Sequence, residues 1–324
     1  MRHARPAHAF AATAVATLML LAAPARAEKS SLAPETGYNY GEVEDARYGA
    51  MAGAMRAWGN GISGVFTNPA SIAASRVYHV GALAQIWPEA RRQSYGAAAI
   101  DSTTSRLAAG IGFVWNDQDP SGLKRRSTDL RLTLAYPFSD IISFGVGARY
   151  LKLSQEGLGP LGKSYASGGL SGDPIVNGWS FDAGLNLRAS KNVAIGAVGT
   201  NLSNPGTAFQ PTTAGGGVGL GNDDFVFEVD ALADFTTWQR TTARLMGGFE
   251  YLAGDHVPLR LGYRYDDGGK AHAVSGGIGY IDPQFAIDIS ARRYVAGEKA
   301  TAVMFTLQYF VESSGVTRAP QMDY

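Results

Sequence analysis

The chain has 324 residues, with 28 basic and 28 acidic side chains, 41 glycines and no cysteine. Balanced charge excludes a protein that binds nucleic acid through a basic surface. The missing cysteines exclude a disulfide framework or a thiolate metal site.

Residues 1–27 read as a cleaved export signal. Arg2 and Arg5 form a basic start, Ala9–Ala23 is mostly apolar, and Ala25-Arg26-Ala27 is an A-x-A cleavage site. The apolar run is ~15 residues, short of the ~20 that a spanning helix needs. No cysteine follows the cleavage site, so a lipoprotein anchor is not expected. Cleavage would remove Arg2, Arg5 and Arg26 and leave 25 basic against 28 acidic side chains.

Residues 28–75 form a second segment. Glu28–Asp45 is polar, and Arg47–Ser75 is rich in glycine and alanine. Asn68 can cap a short helix over Ala70–Ala74, with Pro69 at its first position, where a missing N–H costs nothing. So little side-chain volume cannot build a core of its own. The stretch reads either as a small-residue helical hairpin on a soluble domain or as a piece packed against a wall or inside a cavity.

From Arg76 the pattern has period two, and fourteen candidate strands follow between 76 and 311, from 76–87 to 300–311. The clearest is Asp129–Tyr136, where Leu130, Leu132, Leu134 and Tyr136 alternate with Asp129, Arg131, Thr133 and Ala135. Trp115, Tyr136, Tyr150, Trp179, Tyr251 and Tyr265 sit near strand ends on apolar faces, as in the girdles of membrane barrels. The connections sort by length: alternate ones are short, and the other set includes Asp117–Ser127, Ser154–Asn177 and Ser203–Thr212. Short turns on one rim and longer loops on the other fit an outer-membrane barrel better than a soluble sandwich. The expected fold is therefore all-β: a transmembrane antiparallel β-barrel of about 14 strands over 76–311, with a tail at 312–324.

Gly49, Gly53-Ala54 and Asn68-Pro69-Ala70, placed after a signal and before a string of strands, resemble the N-terminal hatch of the FadL/PorV-like outer-membrane barrels. The resemblance implies that 28–75 is a short helical hatch in a bacterial outer membrane. The last strand, ending Tyr309-Phe310-Val311, is similar to the signal read by the barrel-assembly machinery, although Glu312–Tyr324 follow it. FadL-type members are implied to take up hydrophobic small molecules such as fatty acids. The compact PorV-like members are linked to secretion machinery. With roughly 18 residues per strand, of which spanning takes ~9–11, this chain is closer in build to the compact members. The expectation is a component or anchor of an envelope machine for secretion or surface motility. A passive channel for small hydrophobic molecules is the alternative. Envelope proteins and a hydrophobic molecule are the corresponding partners, besides outer-membrane lipid.

No enzyme is expected. The histidines after the signal, His79, His256 and His272, are far apart without a metal-ligand pattern, no G-x-S-x-G occurs, and no cofactor motif is present. The inward positions carry Arg131, Arg149, Arg188, Arg244, Arg260, Arg264 and Arg292 against Asp129, Asp182, Glu228, Asp230, Asp234, Glu250, Asp266 and Asp288. A selective ion pore would lean to one sign. Near balance favours a lumen charge network that holds the hatch and braces the wall. Mass spectrometry of fractionated envelopes should find a mature chain beginning at Glu28. A chain retaining Met1, or one recovered free of membrane, would contradict the export reading.

Overall fold

A computed structural model describes residues 43–118, 124–155, 174–203, 210–238, 240–297 and 300–311. The export signal, residues 28–42, most of the 154–177 connection and the 312–324 tail lie outside them.

Fourteen antiparallel strands close into one barrel in sequence order. They are β1 Tyr78–Trp87, β2 Arg92–Asp101, β3 Ala108–Gln118, β4 Arg125–Pro137, β5 Ile142–Gln155, β6 Pro174–Ser190 and β7 Val193–Thr200. Then come β8 Thr213–Gly221, β9 Phe225–Asp234, β10 Thr242–Ala253, β11 Val257–Asp266, β12 Ala271–Ile281, β13 Phe285–Ala296 and β14 Thr301–Val311. The expected strand count is the observed one. The seam pairs β1 with β14, from Tyr78 opposite Val311 to Ile86 opposite Val303. Closure leaves no strand edge, as a backbone in hydrocarbon requires. The longer elements outrun their expected bounds: β6 begins at Pro174 rather than at 178, and β4 at Arg125 rather than at 128. Pairing with a neighbour carries these strands beyond the alternation that marks them in sequence.

Alternation decides which face each residue takes. On β4, Leu132, Leu134 and Tyr136 are exposed, and Arg131, Thr133 and Ala135 are buried. The exposed face is apolar around the wall, with aromatic pairs near both rims. Tyr95 stacks with Trp115 (6.3 Å) and Tyr150 meets Trp179 (5.2 Å) towards the long-loop rim. Tyr136 meets Phe138 (5.4 Å) and Tyr280 meets Phe285 (5.9 Å) at the short-turn rim. An apolar band between two aromatic girdles is the lipid-facing surface of an outer-membrane barrel.

Residues 43–75 lie inside. They form α1 (Ala46–Ala50), α2 (Ser63–Thr67) and a 3-10 turn over Pro69–Ala73, and nearly every residue is buried. Helices this short do not hold themselves together; the wall holds them. Val65, Phe66 and Ile72 pack with Leu83, Ile100 and Val114 on one side. Ala46 packs with Trp87, Ala302 and Met304 on another.

Leu132→Arg should impair assembly, because a midplane arginine on the lipid face costs about 2–4 kcal/mol. Leu132→Phe should not, and heat-modifiable gel mobility would read both. Thr133 makes a poor control. It is 3% exposed and faces the inner segment, so an arginine there would disturb packing for a different reason.

Candidate functional site

The inner segment adds no strand to the sheet, so its backbone must find partners among wall side chains. β9 supplies the largest share. Its Phe-Glu-Val-Asp alternation turns Glu228 and Asp230 inward. Asp230 accepts from the backbone N–H groups of Met55 (3.1 Å) and Arg56 (3.2 Å), and Glu228 from those of Ala57 (2.6 Å) and Trp58 (2.9 Å). Two carboxylates thus take four consecutive N–H donors. Asp230 also takes the Arg56 guanidinium at 3.1 Å. Among the inward charges, Asp230 is therefore the carboxylate that answers Arg56. Asp182 instead accepts from the Asn201 backbone at 2.6 Å.

Asn68 explains its own place in the chain. Its Oδ1 accepts from Ala70 N (3.0 Å), capping the 3-10 turn, with Pro69 at the first position. Its amide donates to the carbonyls of Arg56 (2.8 Å) and, on β6, Leu185 (3.1 Å). One side chain ties the turn, the preceding loop and the wall. Ser143 on β5 donates to the Ala70 carbonyl (3.0 Å).

Small residues make these contacts possible. A methyl group at Gly184 would overlap the Asn68 carboxamide, one at Gly196 the Arg56 carbonyl, and one at Gly49 the Met304 thioether. Gly53 is left-handed at φ +93°, a backbone that favours glycine. Ala54 is wholly buried, beside Val198, Leu232 and Met246.

The inward charges are gathered in separate groups rather than in one ladder. Asp129 takes Arg131 (3.2 Å) and Arg149 (2.6 Å), and Arg131 also donates to the Phe66 carbonyl (3.2 Å). Arg47 of the inner segment bonds Glu250 (2.9 Å), and Arg260 bonds both Glu250 and Asp288. Glu44 receives Arg292 (2.6 Å) and faces Arg264 (3.6 Å). Arg244 pairs with Asp266 (2.9 Å) nearer the rim. Arg188 departs from the network reading. Its guanidinium makes no hydrogen bond among the described residues and lies 4.4 Å over the Trp58 ring. Glu228, the carboxylate whose charge acts on it, is taken up by backbone N–H groups. On the long-loop rim, hydrogen bonds from Arg240 and Lys270 hold the pKa of the partly exposed Asp267 carboxyl down to about 2.

Glu44 and Trp58 lie outside every strand pattern, so no local signal marks them. The inward phase of Glu228 and Asp230 was legible, but their backbone partners were not.

No family model matches the chain, and no curated protein does. Solved structures do. The CymD monoaromatic hydrocarbon channel superposes with a TM-score of 0.64 at 15% identity, covering 84% of this chain and 98% of that one. The Ralstonia pickettii toluene transporter TbuX gives 0.63 at 13%, covering 85% and 100%. A Pseudomonas aeruginosa FadL homologue gives 0.58 at 14%, covering 84% and 99%. This chain has the FadL-type barrel fold. At these identities the likeness is one of architecture, and with the apolar girdled surface it places the barrel in the bacterial outer membrane.

Asp230→Asn should destabilise the FadL-type barrel by about 3–5 kcal/mol, because Arg56 then stays buried without its carboxylate. Asp182→Asn keeps an acceptor for Asn201 and should cost about 1 kcal/mol. Urea midpoints followed by gel mobility would separate the two.

Proposed function

We propose that this barrel is a passive conduit for small hydrophobic molecules across the outer membrane, with residues 28–75 as its hatch. One feature of the wall carries the reading. Beside Gly147 on β5, a small recess is lined at once by Leu132 and Ala148, near the lipid face, and by Phe66 and Pro69 of the inner segment. Residues of the lipid face and of the inner segment meet at this recess, which Arg131, Thr133 and Asp182 also line. The similar solved structures include a toluene transporter and a monoaromatic hydrocarbon channel, and this agreement supports the reading. The hatch motif Gly49, Gly53, Ala54 and Asn68-Pro69-Ala70 would hold the closed state, together with the charges at Arg131, Arg149, Asp182, Arg188, Arg244, Arg260 and Arg264. In this scheme residues 1–27 direct export, and the assembly machinery reads the final strand.

A second reading keeps the barrel as a part of an envelope machine. The close filling of the bore by residues 43–75 favours it, since a docking barrel needs no passage. Proteoliposomes discriminate. The conduit reading expects little ionic conductance from the intact barrel, together with faster entry of toluene into vesicles. Deleting Tyr48–Ala74 should either prevent folding or raise conductance several-fold. A closed barrel that leaves toluene entry unchanged and crosslinks to envelope proteins in cells would overturn the conduit in favour of the machine.

A further inference from the structure

The long-loop rim of an outer-membrane barrel faces the outside of the cell. On that rim the outward face of β4 and β5 gathers cations. The Arg126 side chain is 60% exposed, and Lys124 and Lys152 are exposed as well. The register sets Arg126 opposite Ser154 and Lys152 opposite Thr128, so Arg126 and Lys152 are diagonal neighbours on adjacent strands. Such neighbours stand ~7–8 Å apart, close enough for two long side chains to share one anion. Among the described residues the carboxylate at this spot is Asp117, 3.5 Å from Arg126, one acid against three bases. Elsewhere on the rim acids hold the exposed cations: Arg293 is bound by Glu89, and Arg240 and Lys270 share Asp267. The short-turn rim has no such surplus. Among the described residues, exposed Asp140, Asp223, Asp224 and Asp255 outnumber its exposed cations.

Depth in the membrane points to the kind of anion. The Tyr150–Trp179 and Tyr95–Trp115 pairs mark the girdle here. Lys152 stands two residues beyond Tyr150, and Arg126 two beyond Thr128, which pairs with Trp115. At ~3.4 Å per residue the cations lie within about 7 Å of the girdle. Girdle aromatics sit at headgroup level, so these cations meet lipid phosphates. The wall beneath is shaped to match. On the outward face of β5 below Tyr150, Ala148 lies between Leu132 on β4 and Phe181 on β6, both exposed. A small residue between two bulky ones leaves a shallow lane for an acyl chain.

We propose that the outer face of β4 and β5 seats a phosphorylated glycolipid of the outer leaflet. Arg126 and Lys152 share one of its phosphates, the arginine through its fork and the lysine as a point charge. An acyl chain lies over Ala148. The inference goes beyond the conduit reading and does not need it, since a lipid seat on the outer wall requires no passage.

The test is native mass spectrometry of the full, detergent-purified barrel titrated with bisphosphorylated lipid A. Binding should saturate, and dephosphorylated lipid A with the same acyl chains should bind about tenfold more weakly. Millimolar inorganic phosphate should not displace the lipid, because it lacks the acyl contact. The double variant Arg126→Gln/Lys152→Gln should also lose about tenfold. Arg240→Gln/Lys270→Gln, on the same rim, should bind as the native barrel does. Gel mobility would show that both variants fold, and the comparison of the two lipids needs neither. The proposal fails if removing the phosphates costs nothing, if inorganic phosphate displaces the lipid, or if the two double variants behave alike. A dimer lost in Arg126→Gln/Lys152→Gln without a change in lipid binding would assign this face to a second copy of the chain and overturn the lipid seat.

Discussion

Everything inside this barrel answers to one constraint: a backbone that joins no sheet still needs hydrogen-bond partners where water is scarce. Residues 55–58 meet it with two carboxylates of one strand, Glu228 and Asp230, which accept their four N–H groups. Asn68 serves the same purpose for the carbonyls of Arg56 and Leu185. The inner segment is therefore seated by side chains reaching from the wall, and it depends on the wall for its shape.

That seating explains the balance of charge. Carboxylates placed inward for backbone donors bring their own desolvation cost, and inward arginines offset it where they pair. Arg56 does this for Asp230, and Arg260 for Glu250 and Asp288. The groups are local, each serving one stretch of the inner segment, so no continuous lane of one sign runs along the bore. Such an interior has no reason to select ions.

The glycines are the steric side of the same arrangement. At Gly184 and Gly196 the wall gives up its side chain so that Asn68 and the Arg56 carbonyl can come against the strand. Outside, the same strands carry leucine, phenylalanine and tyrosine between two aromatic girdles. At these positions the wall is smooth inward, while its outer face is bulky and apolar, the pattern expected of a wall between lipid and a filled bore.

The barrel was legible in the sequence because its signal is local. A period of two, turn residues between strands and aromatics at strand ends each lie within a few residues, and they yielded the strand count, the facing of residues such as Leu132 and Arg131, and the cap at Asn68. The groupings inside were not legible. Pairing Arg56 with Asp230, Glu44 with Arg292, or Trp58 with Arg188 joins residues more than 120 positions apart. A period of two fixes only that a side chain points inward, not what it meets there. That Arg56 is held by Asp230 rather than by Asp182 was decided by how closure of the barrel brings the inner segment against each strand. Those distances exist only once the last strand has paired with the first.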